Sequence, residues 1–153
     1  MDALDKKILA TLQRDASLPL SEIAEKVGLS TTPCWRRIKA LEDAGVIKGR
    51  VAVLEAAKLN LGVTVFVAIR TQHHNDEWLQ KFARAVADIP EIIGLYRMAG
   101  DVDYLMKVVV PDIEGYDAVY KRLIAKIDLS DVSSTFVMET IKETTALPLT
   151  AIR

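Results

Sequence analysis

The sequence predicts an α+β chain built in two parts, and three observations carry that prediction. Up to about Leu41 the apolar residues recur at helical spacing. From Gly62 onward they alternate along short runs, and these runs are interleaved with two further helical stripes. Between them, from Glu55 to Leu61, neither period holds. With 153 residues, half of them hydrophobic and 27% charged, the chain is long enough for one ordinary domain or two small ones.

In the first part, Leu4, Ile8, Leu9 and Leu12 mark a helix from about Ala3 to Arg14, with Asp2 placed to cap it. Asp15 to Pro19 breaks it. A second short helix is expected after Ser21 as N-cap, with Ile23, Ala24 and Val27 turned inward. Gly28 is placed to end it in a left-handed turn, onto which Leu29 folds back. The third helix opens at Ser30 with a run of hydroxyl residues (Ser30, Thr31, Thr32) and carries Pro33 in its first turn, where no N–H is missed. Cys34, Ile38 and Leu41 share one face of it. Thr32, Arg36 and Lys39 lie opposite, with Trp35 and Arg37 on the flanks.

Two helices, a tight glycine turn and a third helix with a basic outer face form a helix-turn-helix pattern. Arg bonds a guanine edge bidentately, Thr touches a thymine methyl and Lys sits near phosphate, so the outer face suits a DNA groove. A merely solvated charged face is the plainer reading of three exposed cations; the glycine-turn spacing is what favours the first. Val46 to Leu54 reads as two short strands turning near Lys48-Gly49, a wing whose Lys48 and Arg50 would lie near DNA backbone.

Charge supports a localised anionic partner. The formal net charge is −1, which excludes a globally basic coat. Yet residues 30–50 hold Arg36, Arg37, Lys39, Lys48 and Arg50 against only Glu42 and Asp43.

In the second part Val63, Val65, Val67 and Ile69 alternate along a strand from Gly62 to Thr71. Asn75 caps a helix with the stripe Trp78, Leu79, Phe82, Val86 and Ile89, stopped by Pro90. Strands follow over Ile92–Met98 and Tyr104–Val110, joined by the turn Gly100-Asp101-Val102-Asp103. Pro111-Asp112 starts a helix with Tyr116, Val119, Tyr120, Leu123 and Ile127 on one side, and Ser133 to Ile141 alternates as a last strand. The order β-α-β-β-α-β is the ferredoxin-like plan, with two helices on one face of a four-stranded antiparallel sheet. The other face has no cover within the chain, which predicts a homodimer. The expected division is residues 1–54, a link at 55–61, and 62–153.

The single cysteine, Cys34, precludes an internal disulfide and sits on an apolar helix face, so it reads as a small core residue. No basic leader followed by an apolar run opens the chain, and no 18-residue apolar stretch appears; a cytoplasmic protein, without membrane attachment, is expected. His73 and His74 are adjacent at a strand end, where they point to opposite faces and chelate poorly, so no metal site and no cofactor is expected. No catalytic triad, phosphate loop or carboxylate pair stands out.

Three segments, LSEIAEKVGLSTTPCWRRIKALEDAGVIKG (20–49), GDVDYLMKVVVPD (100–112) and IKETTALPL (141–149), together resemble the Lrp/AsnC family of leucine-responsive, or feast/famine, transcription regulators. The resemblance spans about Leu4 to Leu149 in the right order. It implies a winged helix-turn-helix joined to a ferredoxin-like amino-acid-sensing domain, dimers through the sheets, and further assembly to tetramers or octamers. It also implies double-stranded DNA as partner, through Thr31, Thr32, Trp35, Arg36, Arg37, Lys39, Lys48 and Arg50, and a nucleoid-associated location. By motif match, an amino-acid effector would bind between sensing domains near Gly100, Asp101, Asp103 and Tyr104. A flexible Gly100, a carboxylate for an α-ammonium and turn N–H groups for an α-carboxylate suit that role. The hydroxyls of Ser133, Ser134 and Thr135 are polar additions; a plain hairpin turn is the alternative reading of the same residues.

Two other functions are open at this point. Sirohaem decarboxylases resemble the same two-domain plan, and such an enzyme would recruit a histidine such as His73. A DNA-compacting architectural protein with little sequence preference is the other.

Overall fold

A computed structural model describes residues 1–152 and contains two compact units. The first comprises Met1–Val53 together with Lys142–Arg153, and the second Leu54–Ile141. The two units meet between Val53 and Leu54, and the residues from Lys142 onward group with the first unit rather than the second. Leu149 and Ile152 account for this, since they pack against the helical core of the first unit.

That core is made by α1 (Ala3–Arg14), α2 (Leu20–Val27) and α3 (Thr31–Asp43). Helix α1 opens with a complete capping box. The Asp2 carboxylate accepts from the Leu4 and Asp5 N–H groups, while Asp5 accepts from the Asp2 N–H. Helix α2 starts two residues earlier than expected. Pro19 is its N-cap, without a side-chain cap bond, and Ser21 lies within the helix. The Pro19 carbonyl instead accepts from Glu22 and Ile23, which leaves no capping work for the serine. Gly28 ends α2 in the left-handed region (φ 77°), and the Leu29 N–H returns to the Ala24 carbonyl at 2.9 Å. Ile8, Ile23, Ala24, Val27, Cys34, Ile38 and Leu41 close the core between the three helices.

The expected wing strands are not formed: residues 46–54 run as irregular backbone. The start of the first strand is consumed in ending α3, since the N–H groups of both Val46 and Ile47 bond the Leu41 carbonyl. The candidate partners Val51 and Val53 stand 85% and 76% exposed, so nothing is buried by pairing them.

The C-terminal tail takes a place on this unit. Gln13 holds Leu147 through both main-chain groups: its amide oxygen accepts from the Leu147 N–H (2.6 Å) and its amide N–H donates to the Leu147 carbonyl (3.1 Å). The Lys6 ammonium donates to the Ile152 carbonyl at 2.7 Å.

The second unit is a four-stranded antiparallel sheet, β1 (Val63–Arg70), β2 (Ile92–Arg97), β3 (Tyr104–Val110) and β4 (Asp131–Phe136), in the order β2-β3-β1-β4. Helices α4 (Asp76–Ala87) and α5 (Ile113–Ile124) supply the residues that bury one face. Asn75 and Asp112 cap them, accepting from Trp78 and Gly115 respectively. Val65, Val67 and Ile69 of β1 and Tyr104, Met106, Val108 and Val110 of β3 point into this core with Phe82, Val119 and Leu123. Strand β4 begins two residues earlier than the alternation suggests and stops at Phe136, where its pairing with β1 ends at Val65.

The turn after β2 is fastened to the end of β1. Gly100 holds φ 136°, a conformation that disfavours any side chain. The Asp103 N–H donates to the Ile69 carbonyl (3.0 Å), and the Asp103 carboxylate accepts from the N–H of the buried Thr71 (2.8 Å). Arg70 donates to the Asp101 carbonyl (2.7 Å) and pairs with Asp131 on β4 (3.1 Å), so one guanidinium spans turn and strand.

Two stability tests follow. A variant ending at Ile141 loses the partial burial of Leu149 and Ile152 and should destabilise the first unit by about 1–2 kcal/mol. Thermal melting followed by Trp35 fluorescence reads this; an unchanged midpoint would mean that the tail does not pack there. Asp103→Ala strips a charged acceptor from a buried N–H and should cost the second unit about 1–3 kcal/mol, read by Trp78 emission during melting.

Candidate nucleic-acid interface and effector site

The outward side of α3 is set by what the helix buries. Cys34 and Ile38 are 0% and 5% exposed, so Thr31, Thr32, Trp35, Arg36 and Lys39 are left on the open surface. Burial pushes the Cys34 thiol up, which makes it a core residue rather than a nucleophile at neutral pH. Trp35 stands 53% exposed, a large aromatic displayed where core packing does not require it.

The five basic residues of this region differ in what they touch. Arg36 and Lys48 have no ion-pair or hydrogen-bond partner among the described residues. Lys39 pairs with Asp43 one turn away (2.8 Å) and Arg50 with Glu42 (3.0 Å), all four side chains being well exposed. Such pairs are worth about 0–1 kcal/mol and exchange readily for another anion. Arg37 is different. Its guanidinium bonds the carboxylates of both Asp2 (2.7 Å) and Asp5 (2.8 Å) at the start of α1. The Asp5 backbone N–H and then Arg37 hold the Asp2 carboxyl below its usual range, while Asp5 and Asp2 push the Arg37 guanidinium up. Sequence spacing places Arg37 on the flank of the reading face; the structure turns it inward to α1.

The residues expected around an effector do not all share one surface. Gly100 and Asp101 are exposed at the turn, and the Asp101 carboxylate has no partner among the described residues. Asp103 is already engaged by Thr71. Tyr104 is only 6% exposed and packs in an aromatic cluster, 5.3 Å from Phe82 and 5.7 Å from Trp78 between ring centroids. Its side chain is therefore core, a correction with a simple cause: Tyr104 opposes Ile69 on β1 and shares its buried face. The three hydroxyls of β4 are likewise split. Ser134 lies opposite Val67 and bonds the Tyr116 hydroxyl on the helical side, whereas Ser133 and Thr135 lie opposite Ala68 and Phe66 on the uncovered face.

Sequence reasoning missed Arg70, whose bonds to the Asp101 carbonyl and to Asp131 make it part of the turn's frame. Its place at the end of an alternating strand gave no signal beyond an ordinary exposed charge. His73 stacks on Trp78 at 6.2 Å, and no group of three His, Cys, Asp or Glu side chains among the described residues is placed to hold a metal. No helix among them is long and apolar enough to cross a membrane.

Known proteins resemble this chain throughout its length. A winged helix-turn-helix DNA-binding family model matches residues 1–48, and the Lrp/AsnC ligand binding domain matches residues 64–147. The DNA-binding transcriptional activator DecR of Escherichia coli (strain K12) is 52% identical over 97% of this chain and 99% of its own. The glutamate uptake regulatory protein of Zymomonas mobilis is 50% identical over 97% of this chain and 91% of its own. Among solved structures, an AsnC family transcriptional regulator from Agrobacterium tumefaciens superposes with a TM-score of 0.94 at 60% identity, covering 97% of each chain. A transcriptional regulator from Neisseria meningitidis, solved as its L-Met complex, gives 0.92 at 34% identity over 98% of this chain and 97% of that one. These relatives are regulators rather than enzymes, which sets aside the decarboxylase reading. With both domain models matched in order and relatives aligned over almost all of its length, the chain belongs to the Lrp/AsnC family of DNA-binding transcription regulators.

Proposed function

We propose that α3 reads DNA sequence in the major groove and that an amino acid, bound at the Gly100–Asp103 turn, modulates this. The observation that carries the first half is the outer face of α3. An unpartnered Arg36 stands among exposed Thr31, Thr32, Trp35 and Lys39 on a helix whose other face is fully committed to the core. Arg36 is the base-reading candidate, Thr32 contacts a thymine methyl, and Lys39, Lys48 and Arg50 hold phosphate. Two copies present two such helices to half-sites about one helical turn apart.

The effector half rests on chemistry and on a relative. Asp101 offers an unpaired carboxylate for an α-ammonium beside a glycine that lets main chain approach an α-carboxylate. The Neisseria relative was crystallised with L-Met, an amino acid. A homodimer through the uncovered sheet face is part of the same reading: Phe66, Leu105 and Val109 lie there, half-buried and apolar, with Tyr96 53% exposed beside them. Assembly to tetramers or octamers follows the family pattern, as do the cytoplasmic setting and nucleoid association.

Arg36→Ala should weaken binding to duplexes recovered by selection from a randomised pool by about 1–3 kcal/mol, with little change on random DNA. Equal loss on both would reduce Arg36 to a phosphate contact, and strong binding of random DNA throughout would favour the architectural reading. Titrating the DNA complex with each of the twenty amino acids should identify at least one that shifts affinity, and Asp101→Asn should abolish that shift. No response to any of them would remove the effector half and leave the regulator intact.

A further inference from the structure

We propose that Arg37 is a positioning residue of the reading helix: it fixes α3 to the start of α1 through Asp2 and Asp5 and does not itself touch DNA. The inference rests on the assignment of α3 as the reading helix and refines which of its two adjacent arginines reads.

Three observations carry it. The first is partnership. Arg36 has no partner among the described residues, while one terminal nitrogen of Arg37 lies within 2.8 Å of two carboxylates. The second is burial. The Arg37 and Asp5 side chains are 31% and 16% exposed, against 51% and 63% for the Lys39–Asp43 pair, so solvent screens the Arg37–Asp5 contact less, while Asp2 is 53% exposed. The third is what the carboxylates already do. Asp2 and Asp5 form the reciprocal capping box of α1, so their positions are fixed by the α1 backbone before Arg37 arrives. An anchor with little freedom left costs little further entropy to engage. Arg37 thus ties α3, near its middle, to the capped first turn of α1, a directional restraint on helix rotation that adds to the non-directional apolar stripe.

A rotation of α3 by a few degrees displaces the tip of Arg36 more than it displaces the helix axis. Base-edge hydrogen bonds tolerate little displacement, whereas phosphate contacts by flexible cations tolerate more. Loss of the clamp is therefore expected to erode discrimination more than general affinity.

Simple electrostatics and this proposal predict opposite signs for the same variants. Asp2→Asn and Asp5→Asn keep an oxygen acceptor for the cap while removing negative charge near the DNA face. Charge alone predicts tighter DNA binding; the clamp predicts weaker binding to selected duplexes, by about twofold to fivefold, the range of a solvent-accessible ion pair. Binding is measured on selected and random duplexes across a series of salt concentrations, with helical content checked by circular dichroism. The expected result for Arg37→Met is a loss of similar size, confined to selected DNA, with an unchanged salt slope, and no further loss on adding Asp5→Asn. A salt slope shallower by about 1, or tighter binding by the Asp variants, would overturn the proposal and make Arg37 a phosphate contact. Arg36→Ala run alongside separates the two assignments: if it leaves binding to selected DNA unaffected, the reading helix itself has been misassigned.

Discussion

The burial of Cys34, Ile38 and Leu41 is the constraint on which the DNA-binding unit depends. A helix with one apolar stripe has one orientation that takes that stripe out of water, and the transfer of three such side chains is worth several kcal/mol at roughly 25 cal/mol per Å². Once that face is spent against α1 and α2, helix geometry leaves Thr32, Arg36 and Lys39 on the open side, and the Arg37 contacts to Asp2 and Asp5 add a directional restraint on the helix. The Gly28 turn is the second half of the same constraint. Its left-handed conformation and the Leu29-to-Ala24 hydrogen bond set the angle at which α3 leaves α2, and a residue with a Cβ would strain it.

The second unit solves a different problem. Its sheet is covered on one face only, so alternation along β1 and β3 separates residues into a dry set and a half-exposed set. On the dry side, Tyr104 at the start of β3 packs with Phe82 and the partly buried Trp78 of α4. Asp103 N–H and carboxylate bind the Gly100–Asp103 turn to Ile69 and Thr71 on one side, and Arg70 binds it to Asp131 on the other. A turn so held offers a ligand fixed main-chain groups, and little ordering entropy is then lost on binding. The same fastening explains why Asp103 is a poor candidate for contacting the ligand and Asp101 a better one.

Most of the architecture was legible because periodicity reports burial, and burial is what builds these elements. Strand β1 and both helices of the second unit fell where alternation and stripes placed them. What failed to show were features decided by competition for the same groups. Val46 and Ile47 have the residue types of a strand, but the Leu41 carbonyl takes their N–H groups first. Tyr104 sits beside the candidate effector turn in sequence, yet the pleat sends its ring to the core. Ser133, Ser134 and Thr135 read as one hydroxyl patch, and the same pleat divides them between two faces. The tail's return to α1 had no local signal at all, because Gln13 and Leu147 are 134 residues apart and neither is unusual in its own segment.

Charge was the least legible property, and it bears on which kind of DNA-binding protein this is. A count over residues 30–50 gives five cations, as if all five faced a partner. In the folded chain Arg37 is held by two carboxylates, Lys39 and Arg50 each have one, and only Arg36 and Lys48 of the five stand unpartnered among the described residues. Each phosphate neutralised contributes about 0.9 to the slope of log affinity against log salt, so two such cations per chain give a weak sequence-independent hold. Even if the exposed Lys39 and Arg50 pairs open for phosphate, the total stays modest beside a protein that coats DNA through backbone contacts alone. If α3 reads DNA as proposed, base-edge contacts there and the joining of two or more copies on one site supply the rest of the affinity. A reading head this sparing of charge is suited to finding a sequence rather than to compacting DNA.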